Sequence, residues 1–171
     1  ITVENGGLGL LVGPTVKNSG VIQGRLSRLQ MGAGDTFGVD LYGDGLLSLA
    51  VSHPTHSKRR ISANNTGSLI ADGGKVLMTA AAADKTLDSV INTSGVIEAG
   101  SLVNHNGEII LTGTGADVKV AGTVDTSGAN GGGKIRIGGD SRGAGKLPKA
   151  RSVTIDKTAV ISADATDKGN G

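Results

Sequence analysis

The sequence predicts an all-β fold, a solenoid of short stacked strands, on three observations. The first is a phrase that recurs along the chain and is clearest in "NTSGVIEAGSLVNHNGEIILTG", residues 92–113. A small-residue turn is followed by a brief β-branched strand, a Gly or Asn turn, and a second strand. The second is strict alternation of apolar and polar residues, as in Lys134-Ile135-Arg136-Ile137, which marks strands with one buried and one wet face. The third is composition. The 171 residues include 30 glycines but no tryptophan, one tyrosine and one phenylalanine. Globular cores draw much of their buried area from aromatic rings, so this core has to be assembled from many small aliphatic side chains in regular columns.

The elements follow in order. Asn18-Ser19-Gly20 precedes the strand "VIQG". "FGVDLY" and "LLSLAV" flank a tight Gly-Asp-Gly turn at residues 43–45. Thr66-Gly67 opens "SLIADGGKVLMTA", in which Gly73-Gly74 separates two strands. Ser94-Gly95 precedes "VIEAG", and Asn106-Gly107 precedes "EIILTG". Val118-Lys119-Val120 alternates, and Ala121-Gly122 opens "TVDTSG". Three glycines then lead into "KIRIGG". Val153-Thr154-Ile155 alternates, and Thr158-Ala159 opens "VISADA". Two short strands bury little alone, but stacked phrases align Val, Ile and Leu in columns. Gly and Asn tolerate the left-handed backbone of tight corners, and repeated corner asparagines can form amide ladders. The inward set is expected to include Val76, Ile97, Ile109, Val120, Ile135, Ile137, Ile155 and Ile161. The competing architecture is an antiparallel β-sandwich, whose strands need not resemble one another and whose core usually holds large aromatics. Helical composition is confined to "LMTAAAADKTLDS", residues 77–89. Spacing is uneven, so insertions interrupt the coils; the expected loops are residues 52–65 and 139–152. At roughly 20–25 residues per coil and about 4.8 Å per coil, the expectation is about seven coils in a rod of roughly 35 Å.

A net charge of +2 names no partner, and no concentrated basic face with stacking aromatics points to nucleic acid. Without cysteine there are no disulfides or thiolate metal sites. No apolar run approaches the roughly 18 residues of a membrane span. The chain starts at Ile1 without a signal pattern and ends in "DKGNG", and reads as one β-helical segment, residues 1–171, of a longer protein.

"GLLVGPTVKNSGVIQGRL" followed by "MGAGDTFGVDLYGDGLLSLAV" resembles the closing part of the secretion domain of filamentous-haemagglutinin-like exoproteins of bacterial two-partner secretion. The resemblance covers residues 1–51 for that domain and 66–171 for the rod that follows it, through "GGKVLMTAAAADKTLDSVINTSGVIEA" and "GEIILTGTGADVKVAGTVDTSG". The early secretion domain, with its asparagine-proline signature, has no counterpart here. The resemblance implies a right-handed parallel β-helix, exported through an outer-membrane barrel transporter as a largely unfolded chain. It implies a secreted or surface-displayed adhesin, with a host or cell-surface glycan or receptor as partner. A chain without cysteine suits that route, since no disulfide can lock it before coils propagate.

Residue chemistry adds few sites. Parallel β-helices also include polysaccharide lyases and hydrolases, whose carboxylates converge on one face. Here the acids are scattered, and two aromatics cannot line a sugar groove, so no catalytic residue, cofactor or metal is expected. Where acids and bases fall after coil alignment discriminates a carbohydrate-active protein from a passive rod. Asp40 and Asp44 in "DLYGDG" imitate a calcium loop, with Tyr42 at a ligand position and Gly45 following, but the distal glutamate is absent. His53 and His56 lack a third ligand for zinc. Lys134 after three glycines opens an alternating strand rather than the helix a phosphate loop requires. "SKRR", with Lys58, Arg59 and Arg60, is the one dense basic cluster and the candidate contact for an anionic glycan. Arg142, Lys146, Lys149 and Arg151 form a looser second cluster.

Overall fold

A computed structural model describes residues 1–34, 38–39, 47–48, 61–81 and 89–170. Three five-stranded parallel sheets wrap one core, and each coil contributes one strand to each. Sheet 1 contains β1 (Leu8–Gly13), β4 (Arg28–Ala33), β9 (Lys75–Ala81), β12 (Glu108–Thr114) and β15 (Lys134–Ile137). Sheet 2 contains β2 (Thr15–Asn18), β7 (Ile61–Asn65), β10 (Ser89–Thr93), β13 (Asp117–Val120) and β16 (Ser152–Ile155). Sheet 3 contains β3 (Val21–Gln23), β8 (Ser68–Ile70), β11 (Val96–Glu98), β14 (Thr123–Asp125) and β17 (Val160–Ser162). This is the parallel β-helix that the repeated phrases predicted. Outside it, β5 (Gly38–Val39) pairs antiparallel with β6 (Leu47–Ser48).

Register explains the core. Leu29, Val76, Ile109 and Ile135 stack in one column, and Met31, Met78, Leu111 and Ile137 in another. Val16, Ala63, Ile91 and Val118 form the column of sheet 2. Ile22, Leu69, Ile97 and Val124 form that of sheet 3. All of these are buried except Ile135 and Ile137, which are partly buried against the same cluster. Each full burial of a Leu or Ile side chain stabilises by about 1.5–3 kcal/mol. Ile155 and Ile161 hold the same inward register, opposite Val120 and Val124, yet they are 47% and 42% exposed. The last coil has a neighbour on one side only, so its apolar column stays open on the other.

Corner residues form ladders. Asn18 Nδ2 donates to Asn65 Oδ1 at 2.8 Å, and Asn65 Nδ2 donates to the Val96 carbonyl at 3.2 Å. Asn65 is fully buried, and its position in the next coil is taken by Thr93. In the adjoining column that begins at Gly20, the glycines Gly67, Gly95 and Gly122 are needed for a different reason than backbone handedness, whereas a Cβ on Gly20 itself would meet nothing within 4 Å. A Cβ on Gly67 would lie 2.1 Å from the Gly20 carbonyl oxygen, and one on Gly95 2.1 Å from that of Gly67. Coils approach too closely there for any side chain. Left-handed corners do occur elsewhere, at Gly73 and Asn104, with φ of +67° and +65°.

Three expectations are corrected. The described residues form five coils, not seven, because insertions lengthen some of them: 47 residues separate Asn18 from Asn65, against 28 from Asn65 to Thr93. At about 4.8 Å per step the stack is correspondingly shorter than the predicted rod. The span 52–65 is not all loop. Ile61–Asn65 is strand β7, with Ile61, Ala63 and Asn65 inward and Ser62 and Asn64 outward. Its alternation is hidden because Asn65 is a polar residue in an inward position, satisfied by the amide ladder. Finally, Ile155 and Ile161 are not buried, for the reason given above.

Candidate functional site

Lys58, Arg59 and Arg60 lie outside the described residues, as do Asp40, Tyr42, Asp44, Gly45, His53 and His56. The second basic cluster is described, and it divides. Arg151 clasps Asp117, with Nε donating to Oδ1 at 3.0 Å and Nη2 to Oδ2, and Ser152 Oγ donates to Oδ1 at 2.6 Å. Those bonds from Arg151 and Ser152 hold the Asp117 carboxyl down to about 2. Arg142, Lys146 and Lys149 project from the strap of residues 138–151 that joins β15 to β16. Its single 3-10 turn, Ser141–Gly143, carries Arg142 at a φ of 54°.

The strap is tied to the outside of sheet 1 by charge. Lys75 Nζ lies 2.6 Å from Glu108 Oε2, Arg136 bonds Glu108 Oε1, and Arg136 Nη1 reaches Asp140 Oδ1 at 2.9 Å. Asp140 Oδ2 then accepts the Leu147 N–H at 3.0 Å. The Leu147 and Arg136 bonds hold the Asp140 carboxyl below the usual range. Leu147 thereby packs on Ile110 and Leu77, which point away from the main core and are nonetheless buried. Sequence reasoning missed this second cluster, although the signal was present. "VLM" and "IIL" are unbroken apolar runs, and such runs mark strands covered on both faces.

Coil alignment brings Asp72, Glu98 and Asp125 to one corner, with Glu98 directly opposite Asp125. Burial first, then the charges of Asp72 and Asp125, push the Glu98 carboxyl up. None of the three is ion-paired among the described residues, and there no three acidic or histidine side chains stand close enough to hold one metal ion. A raised carboxyl suits proton donation, and the carboxyls of Asp72 and Asp125 act on it at this corner.

The outer face of sheet 2 carries the most regular polar array. Lys17, Asn64, Asn92, Lys119 and Thr154 follow one another in register, one per coil. Asn92 Nδ2 donates to Asn64 Oδ1 at 3.4 Å. Ser62, Ala63, Asn64, Val90, Asn92 and Lys119 line a shallow depression on this face. Alternation made Lys119 and Thr154 readable as outward; only the register shows that all five form a continuous row.

No family description and no curated protein matches the chain. Among solved structures, it is similar to the HMW1 secretion domain from Haemophilus influenzae, with a TM-score of 0.55 and 24% sequence identity. The shared property is the fold. The likeness covers 95% of this chain and 50% of that one, so the chain spans half the length of the structure it resembles. Among the described residues no helix is long and apolar enough to cross a membrane.

Proposed function

We propose that this chain is a rod segment of a secreted or surface-displayed bacterial exoprotein, of the filamentous-haemagglutinin-like kind, and that its role is structural and adhesive rather than catalytic. The observation that carries the reading is the uninterrupted stacking of three parallel sheets, in the fold of a bacterial secretion domain. Backbone ladders and aliphatic columns make a stiff spacer without any reactive side chain. Export would pass through an outer-membrane barrel transporter, and coils would then form as the chain emerges. Adhesion would reside on loops and outer faces, where binding residues concentrate. Lys58, Arg59 and Arg60 are the cations this reading assigns to a host or cell-surface anionic glycan.

The competing reading is a glycan-degrading β-helix, and the raised Glu98 carboxyl beside Asp125 is the observation that favours it. One experiment separates the two. The purified chain is incubated with acidic and neutral polysaccharides, and new reducing or unsaturated ends are measured. No release is expected. Turnover that disappears in Glu98→Gln would replace the rod by an enzyme.

A further inference from the structure

We infer that Met31 is a modification site, oxidised to its sulfoxide by a peroxide that enters an apolar cavity at the first coils, and that this oxidation loosens the packing of the first coil on the second. The inference does not depend on the adhesive reading. The chain has two methionines, Met31 and Met78. Register places them on adjacent coils of one inward column, Leu11, Met31, Met78, Leu111 and Ile137. Both are buried, at 1% and 0% exposure, but their surroundings differ. Met78 is held between Met31 and Leu111, both fully packed. Met31 lines a cavity of about 80 Å³ together with Ile1, Gly9, Leu11, Ile22 and Leu29. Ile1 is 72% exposed, so the cavity meets solvent there, and Leu11 is only partly buried.

The neighbouring column explains the space. Gly9 stands in register with Leu29, Val76, Ile109 and Ile135, so the first coil lacks the aliphatic side chain that the next four supply. The reaction needs only a two-electron oxidant such as hydrogen peroxide. A lone pair on Met31 Sδ attacks one peroxide oxygen and forms the S–O bond as the O–O bond breaks. The proton on the transferred oxygen passes to the departing hydroxide, which leaves as water. Sulfur is oxidised and peroxide is reduced. The cavity has room for the added oxygen at Met31, whereas at Met78 the same atom overpacks a filled column. Oxidation turns a flexible apolar side chain into a polar one. Placed between Leu11 and Met78, that dipole has no aqueous partner, and the column can relieve it only by opening toward the first coil.

The test treats the intact folded chain with hydrogen peroxide and follows both methionines by peptide mass spectrometry. Met31 is expected to oxidise several times faster than Met78. The oxidised chain is expected to melt at a lower temperature and to exchange amide hydrogens faster in β1 and β4, with β12 and β13 unchanged, because each coil touches only its neighbours. Met31→Leu and Met78→Leu conserve volume and are tolerated in a packed core. Peroxide should leave the melting temperature of Met31→Leu unchanged and still lower that of Met78→Leu. Equal oxidation rates, or faster oxidation of Met78, overturn the site, because the cavity then gives Met31 no advantage. So does a Met31 that reacts only after urea has unfolded the chain. A chain fully oxidised at Met31 whose melting temperature and exchange match the parent overturns the loosening.

Discussion

At the scale of single residues, three polar side chains set testable limits. Asn65 is fully buried and satisfied on both amide ends, by Asn18 and by the Val96 carbonyl. Asn65→Ala removes the bond from Asn18, whose Nδ2 keeps only the Ser68 carbonyl, and the bond to the Val96 carbonyl, at a cost of about 1–3 kcal/mol. Urea denaturation of the parent and variant checks this, and equal midpoints would contradict it. Glu98 behaves in the opposite sense. Its carboxyl is raised by burial and by two neighbouring acids, so ionisation at neutral pH opposes folding. Glu98→Gln is therefore expected to raise the melting temperature at pH 7. The gain should vanish in acid, where the parent's Glu98 is protonated in both the folded and unfolded states. For Asp117 the sign is reversed. Its carboxyl is depressed to about 2 by Arg151 and Ser152, so its contribution is present above the unfolded carboxylate range and is lost as pH falls toward 2. Asp117→Asn should flatten that part of the acid-denaturation profile.

At the scale of elements, coil contacts decide what a turn tolerates. Gly95 sits where a Cβ would meet the Gly67 carbonyl oxygen at 2.1 Å, and backbone cannot yield as a side chain can. Gly95→Ala should cost at least about 1–3 kcal/mol, the usual penalty of overpacking. Raised hydrogen exchange over β10 and β11 would confirm that the strain is local. The strap makes a second prediction. Asp140 joins Arg136 to the Leu147 amide and so seats Leu147 over Ile110 and Leu77. Asp140→Ala should speed exchange through residues 139–151 and increase binding of a hydrophobic dye, with the strands of sheets 2 and 3 unaffected. Unchanged dye binding would mean that packing alone holds the strap. Here the sequence was legible in part. "KIRI" and "SLI" revealed their faces, because one face of each is wet. "EIIL" did not, because the second cover comes from Leu147, 37 residues further along the chain than Ile110 and without any periodic mark.

For the whole molecule, stability is a sum over neighbouring coils rather than a single core. Coils holding β9, β10, β12 and β13 have neighbours on both sides, whereas β16 and β17 leave Val153, Ile155, Val160 and Ile161 exposed. Hydrogen exchange should therefore be slowest in β9 and β12 and fastest in β16 and β17, with intermediate protection between. Uniform protection would show all-or-none unfolding and contradict the additive picture.

What the sequence determined by itself was the class of structure. Repeated turns, period-two strands and a nearly ring-free composition leave small aliphatic columns as the available core, and a solenoid supplies them. It also determined which residues of β13, β15 and β16 face out, because alternation is a local property of the strand. The tertiary structure decided everything that depends on register between distant segments. That includes the coil count, the strand identity of Ile61–Asn65, the amide pair Asn18–Asn65 across 47 residues, and the row from Lys17 to Lys119. The physical reason is insertion length. Closing a longer loop costs only slightly more entropy, so excursions of unequal size leave the stacking intact while erasing the period that would have announced it.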